Sequence, residues 1–305
     1  MASKHTIQPA PPEFLFPPAD GLAPAVSAWY LAHGRDFLWR RPGMTPWALY
    51  LIEVMAQQTQ IERAARVALE WIERWPSPAA LAAEPPGEIL KAWGRLGYPR
   101  RALAIHAAAT VMAAEHDDAP PPDLEALLAL PGVGPYTAAA VASFAYGLRV
   151  PVVDTNIRRV LARALLGQET MPVNARRGAA LMESILPEDA EDAKVTNVAV
   201  MELGALVCTP RSPDCDACPI RDACAWRAAG YPAYEGPRRR AAPRFEGSDR
   251  QLRGRVMALL RETDGVLPRA AFEEIHADPA RVDAVLAGLG RDGLVIERDG
   301  GWALP

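Results

Sequence analysis

All four cysteines of this 305-residue chain fall in one short stretch, Cys208, Cys215, Cys218 and Cys224, spaced C-x6-C-x2-C-x5-C. Four thiolates so close in sequence can converge on one inorganic centre without help from the rest of the fold, and no cysteine remains for a disulfide. Structural zinc is the alternative. Zinc modules, however, usually pair one C-x2-4-C with a second pair or with histidines farther along, and a single such pair exists here. The spacing therefore reads as the ligand loop of a 4Fe-4S cluster, and reduced thiolates of this kind place the chain in the cytoplasm.

Half of the residues are hydrophobic (50%), enough for a large core, and the length suggests two or three domains. The longest apolar run, around Ala102 to Ala114, is interrupted by His106 and is too short to span a bilayer, and residues 1 to 20 carry no signal-peptide pattern. A net charge of −4 argues against indiscriminate affinity for nucleic acid, so a DNA-binding face has to be built by local placement of charge. Arginine supplies it, because lysine occurs only at Lys4, Lys91 and Lys194.

Residues 1–23 are Pro-rich and aperiodic and read as a disordered tail. From Pro24 to about residue 226 the pattern is one of short amphipathic helices punctuated by Pro and Gly, without the alternation that strands need, so the core is predicted to be mainly α. Residues 227–247 read as an exposed basic linker. Residues 248–305 read as a small winged-helix-like α+β domain. It has one helix at Arg250 to Arg261, another starting at Asp278-Pro279, and two short strands, Leu294–Glu297 and Trp302–Leu304, around Asp299-Gly300-Gly301.

Within the core, Asp123 can cap a helix carrying Leu124, Leu127 and Leu128. Leu130-Pro131-Gly132-Val133-Gly134 then breaks it before a second helix bearing Ala138, Val141 and Phe144. Glycines allow a close backbone approach, so the N–H groups of Gly132, Val133 and Gly134 can face a DNA phosphate, often through a monovalent cation in motifs of this type. An ordinary interhelical turn is the other reading. Farther on, Asp154 in Val153-Asp154-Thr155-Asn156 taken alone is a helix cap, and Glu53 taken alone is a solvated helical residue.

Together these strings resemble the helix-hairpin-helix, iron-sulfur DNA glycosylases of the endonuclease III and MutY type. The resemblance runs over about residues 24–226 and is carried by the cysteine spacing, by Leu130-Pro-Gly-Val-Gly-x-x-Thr-Ala138, by Asp154 and by Glu53 with Gln57-Gln58-Thr59-Gln60. It implies a two-lobed core, with a helical barrel lobe at about 38–150 that includes the hairpin, and a cluster lobe made of 24–37 and 151–226. The Gln-Gln-Thr-Gln run is closest to MutY-type adenine glycosylases, which implies base excision repair of double-stranded DNA carrying adenine opposite 8-oxoguanine or guanine.

On that resemblance Glu53 is the acid that protonates the adenine, Asp154 is the stabiliser or nucleophile at the developing sugar cation, and Asn156 orients Asp154. Tyr136 stands where strand-cleaving relatives carry a lysine, which implies a monofunctional enzyme without strong lyase activity. Gln58 and Tyr98 are the expected wedges in the DNA stack, Trp39 and Arg40 match a string near the adenine pocket, and Arg211 inside the cysteine loop is the basic residue presented to DNA. Arg158, Arg159 and Arg163 flank Asp154 as candidates for phosphate contacts, and Glu202 matches a pattern before the cluster without an assigned role. In Leu96-Gly97-Tyr98-Pro99 the family's second tyrosine is replaced by proline, and the short tail cannot be the larger Nudix-like domain that MutY proteins usually carry. Residues 248–305 are a candidate surface for a repair or replication protein. The protein is expected to be a nucleoid-associated bacterial monomer with no membrane partner. The rivals are a thymine or uracil mismatch glycosylase of the same fold and a non-catalytic DNA-binding cluster protein.

Overall fold

The computed structural model describes residues 21–41, 43–236 and 244–305; the N-terminal tail up to residue 20 and the Arg238–Arg240 run of the basic linker lie outside the described residues. The chain is mainly helical. In order, the helices are α1 (Leu22–His33), α2 (Pro46–Ala56), α3 (Ile61–Arg74), α4 (Pro78–Ala82), α5 (Pro86–Trp93), α6 (Arg100–Glu115), α7 (Leu124–Ala129), α8 (Pro135–Tyr146), α9 (Thr155–Leu166), α10 (Ala175–Glu183), α11 (Ala190–Leu206), α12 (Ala225–Ala228), α13 (Asp249–Arg261) and α14 (Pro279–Arg291). The prolines that punctuate the sequence are the reason for the segmentation. Helices α2, α4, α5, α8 and α14 each start on one, where the missing N–H is no loss and φ is already helical. Side chains cap many of the same ends: Thr45, Ser77, Asp123, Asp154, Asn174, Asp189, Ser248 and Asp278 each accept a backbone N–H of the first turn.

The described residues divide into two compact units, one drawn from Met1–Arg35 with Pro151–Glu235, the other from Asp36–Val150 with Gly236–Pro305. In the first unit α11 packs against α1 and α9 around Val26, Ile157, Leu161 and Leu203. The residue just beyond the end of α1, Arg35, is tied to α11 by an ion pair. Arg35 Nε and Nη2 donate to the two carboxylate oxygens of Glu202 at 2.9 and 2.7 Å, and the Arg35 backbone N–H adds a third bond. Glu202 is fully buried at 0% exposure. A buried carboxylate persists only with such compensation, which gives Glu202 the structural role that its sequence context left unassigned.

The second unit is built on an aromatic core of Trp47, Trp71, Trp75 and Trp93, each within 3% of complete burial. Every indole N–H in this set finds an acceptor: Trp75 O, Ala92 O, Glu84 Oε1 and Gly97 O respectively. That satisfaction is what lets tryptophan be buried without a desolvation penalty.

The C-terminal segment belongs to this same core. Leu252, Val256 and Met257 of α13, Val282 and Leu286 of α14 and Phe272 join one continuous apolar cluster with the tryptophans. Three short strands, β1 (Leu267–Pro268), β2 (Ile296–Arg298) and β3 (Gly301–Ala303), form an antiparallel sheet in the order β1-β3-β2, with Leu267 opposite Trp302 and Ile296 opposite Ala303. Asp299 and Gly300 both have positive φ, 53° and 73°, as a two-residue type I′ hairpin requires. Among the described residues, no helix is long and apolar enough to cross a membrane.

Candidate catalytic and iron-sulfur site

Glu53 sits near the end of α2, half-buried between neighbours Ile52 and Val54 that are fully or almost fully buried. The hydroxyl of Tyr136, on the first turn of α8, donates to Glu53 Oε2 at 2.7 Å. One residue along, Thr137 Oγ1 accepts from Gln57 Nε2 at 2.9 Å, so two side-chain bonds lock the end of α2 onto the start of α8. The hairpin supplies that start. Asp123 caps α7, Val133 N–H returns to Leu130 O at 3.1 Å, and Gly134 is the residue from which α8 begins. Gly132 is left-handed (φ 74°), and a Cβ on it would stand 2.6 Å from the Cβ of Ala104. It therefore has to be glycine both for its conformation and for the close approach to α6. Gly132 is exposed, Gly134 half-buried and Val133 buried.

Gln58 and Tyr98 are exposed on two separate loops, one following α2 and one preceding α6, and both take left-handed backbone conformations. The half-buried pair Trp39 and Arg40 lies on a short 3-10 turn. The ring of Phe37 stacks on Trp39 at 4.4 Å between centroids and carries the Arg40 guanidinium at 4.8 Å.

Asp154 caps α9, and it does more than cap. Its Oδ1 accepts the Ile157 N–H at 2.6 Å, and its Oδ2 accepts Asn156 Nδ2 at 2.8 Å. Burial raises the carboxyl above the usual range, opposed by these hydrogen bonds and by the charge of Arg159. The chain of contacts continues through Arg159. Its Nη2 donates to Asn156 Oδ1 at 2.9 Å and to Gly204 O at 2.5 Å, and its Nε donates to Cys208 O at 2.7 Å. Arg163, one turn on, donates to Cys208 Sγ at 3.3 Å and to the carbonyls of Thr209 and Pro210, and stacks on Trp226 at 4.4 Å. Arg159 and Arg163 are thus only 7% and 2% exposed and are engaged by the cysteine loop. This corrects the expectation that they reach phosphates. Arg211 lies exposed on the loop that Arg163 grips.

The four cysteines are half-buried and line one open concavity, together with Val160, Leu203 and Ile220. Among the described residues no three His, Cys, Asp or Glu side chains are gathered tightly enough to hold a single metal ion. The four thiols share the lining of one concavity, and the cysteine spacing favours an iron-sulfur cluster over zinc there. Burial pushes the Cys218 thiol up to about 11 and also raises Cys208, so cluster assembly has to displace these protons.

Comparison with known proteins places this arrangement. The family model of HhH-GPD superfamily base excision DNA repair proteins matches residues 51–183, and that of the iron-sulfur binding domain of endonuclease III matches residues 208–224. The fold and site therefore define a helix-hairpin-helix base excision repair protein with a 4Fe-4S cluster in the segment of residues 208–224, where all four cysteines lie. The chain is 47% identical over 281 residues to the adenine DNA glycosylase of Mycobacterium tuberculosis strain H37Rv, covering 91% of each chain. It is 47% identical over 279 residues to that of Mycolicibacterium smegmatis, covering 91% of this chain and 94% of the other. Among solved structures, a thermostable thymine-DNA glycosylase superposes with a TM-score of 0.64 at 25% identity, over 69% of this chain and 97% of that one. The chain belongs to the adenine DNA glycosylase family.

Arg101 and Gly204 carry no local sequence signal of their roles, whereas Arg159 and Arg163, expected at phosphates, bond the cysteine loop. The spacing of Arg159 and Arg163 by one helical turn was the available signal, since it puts both on one face of α9.

Proposed function

We propose that this enzyme hydrolyses the N-glycosidic bond of adenine mispaired with 8-oxoguanine or guanine in duplex DNA and leaves an abasic site. Membership of the adenine DNA glycosylase family supports the base. The observation that carries the mechanism is the Tyr136 to Glu53 hydrogen bond. A phenol that orients the acid occupies the position from which an amine would attack the sugar, so no Schiff base forms and the strand stays intact. Glu53 protonates the flipped adenine and makes it a neutral leaving group. Asp154, fixed by Ile157 and Asn156, stabilises the sugar cation that results. Positioned proton transfer contributes about 10² to 10⁴ in rate, and electrostatic stabilisation supplies much of the remainder. The 4Fe-4S cluster braces the loop that presents Arg211 to a phosphate.

Gln58 and Tyr98 fill the gap left by the flipped base, and the hairpin backbone at Gly132 to Gly134 grips a phosphate without reading sequence. Residues 248–305 carry ten acidic and eight basic residues. Arg269 and Arg281 pair with Asp283 and Asp249 inside the segment, and Asp264 pairs with Lys91. The segment thus acts as a brace of the lobe and a surface for a repair partner, and lesion recognition rests on the core.

The test is single-turnover base release from duplexes with A opposite 8-oxoguanine, A opposite G, T opposite G and U opposite G, with and without alkali. Alkali-dependent cleavage at adenine alone, fastest opposite 8-oxoguanine, is expected. Release of T or U in its place would strip Glu53 of its assigned role.

A further inference from the structure

Among described residues with positive φ that are neither glycine nor aspartate, only Gln58 (54°), Tyr98 (49°) and Tyr231 (60°) remain, and the first two carry the side chains assigned to the DNA stack. Such conformations persist in bulky residues only where the surroundings impose them. One side chain touches both loops. Arg101, in the first turn of α6, donates through Nη1 to the carbonyls of Val54 (3.0 Å), Met55 (3.0 Å) and Gln57 (2.5 Å). Through Nη2 it donates to Thr59 Oγ1 (3.0 Å) on the first loop and to Gly97 O (3.1 Å) on the second. Its guanidinium also lies over the rings of Trp93 and Tyr98, at 5.0 and 5.7 Å.

The end of α2 makes this contact necessary. Its last turn has no basic residue and its C-cap is Gln57, not glycine, so its final carbonyls need a donor from elsewhere in the fold. Only a planar fork with several fixed N–H groups can bond to both loops at once, and lysine has no such geometry. We propose that Arg101 is a positioning residue that sets Gln58 and Tyr98 as one preformed wedge, so that the two side chains enter the duplex together. The proposal rests on the wedge assignment made above and adds the coupling between its two halves. Preorganisation of this kind acts on the step that unstacks the base more than on the grip of the phosphates.

The experiment uses the full chain with its cluster. Gln58→Ala and Tyr98→Ala are made singly and together, in the wild-type background and in Arg101→Met. Unstacking is read from 2-aminopurine placed beside the mispaired adenine, and base release under single-turnover conditions. With Arg101 present, the two alanine changes should be non-additive; in Arg101→Met they should become additive, with release slowed by roughly tenfold or more. Additive effects with Arg101 present would overturn the proposal, as would unchanged unstacking in Arg101→Met while the alanine variants reduce it. If neither alanine change affects unstacking, the wedge assignment fails and the coupling falls with it, a result distinct from both. Should Arg101→Met not fold, hydrogen exchange in Arg101→Lys decides: joint opening of residues 57–60 and 96–99 supports the coupling, and opening of one loop alone refutes it.

Discussion

Helix α11 passes α9 closely because residue 204 has no side chain. A Cβ built on Gly204 would stand 2.7 Å from Asn156 Cβ, 2.9 Å from its carbonyl oxygen and 3.0 Å from its carbonyl carbon. Carbon atoms prefer about 3.5 to 4.0 Å, so Gly204→Ala has to push the start of α9 away by roughly 1 Å. The atoms in the way are backbone and Cβ, which cannot swing aside. Asn156 is the donor to Asp154 Oδ2 and the acceptor of Arg159, so the displacement falls directly on the carboxylate assigned to the sugar cation. Reacting groups must be held within about 0.5 Å, and a misplacement of about 1 Å can cost 10²-fold in rate. Gly204→Ala is therefore expected to slow single-turnover adenine release by about 10²-fold, with an overpacking penalty of about 1–3 kcal/mol in stability. Duplex affinity and the visible absorbance of the cluster should stay near wild type, because neither the hairpin nor a cysteine is touched. A folded, cluster-loaded variant that releases adenine at close to the wild-type rate would refute the argument that this helix contact sets the position of Asp154.

Asp154→Asn should reduce base release by about 10² to 10³-fold or more while duplex binding persists. Because burial raises the folded-state carboxyl above its unfolded value, wild-type stability declines as pH rises through the folded value; the melting temperature of the variant relative to wild type should therefore grow from pH 4 to pH 7, and a constant difference would contradict this. Tyr136→Lys should introduce strand cleavage and a borohydride-trappable adduct, whereas Tyr136→Phe, which frees Glu53 from one bond, should only slow release; absence of any adduct would argue against Tyr136 lying beside the sugar. For the Arg35 to Glu202 pair, Arg35→Ala should destabilise by about 3–5 kcal/mol in denaturant titration, more than Glu202→Ala, because the carboxylate is fully buried while the Arg35 side chain is 37% exposed and can rehydrate. Truncation after residue 247 should lower the melting temperature by about 2–4 °C for each kcal/mol of shared core lost, and an unchanged melt would show that the C-terminal segment is a tethered accessory.

The parts of this protein that were legible in its sequence are those whose chemistry is local. A cysteine loop closes within itself, a hairpin of two glycines is set by its own backbone, and proline at a helix start fixes φ whatever lies beyond. Asp154 shows both layers at once: its cap is local and readable, since it bonds the Ile157 N–H three residues on, while its electrostatic setting depends on Arg159 reaching Gly204 and Cys208. The same reach explains the misreading of Arg159 and Arg163. A basic residue next to an active-site aspartate suggests phosphate when only the neighbours in sequence are visible, and the loop that engages both guanidinium groups begins more than forty residues later.

Arg101 is the sharper case, because nothing nearby in sequence gives a reason for it. Its acceptors at Val54, Met55, Gln57 and Thr59 lie 42 to 47 residues upstream, and no periodicity links them to α6. A helix that ends without glycine or a cation, followed at once by a left-handed glutamine, is the feature that calls for an outside donor. Long-range functional residues of such a chain are expected opposite helix ends whose carbonyls the local sequence leaves without a donor. In this fold the end of α2 carries the loop of Gln58, proposed to enter the duplex, and Arg101, which completes that end, also bonds the loop of Tyr98.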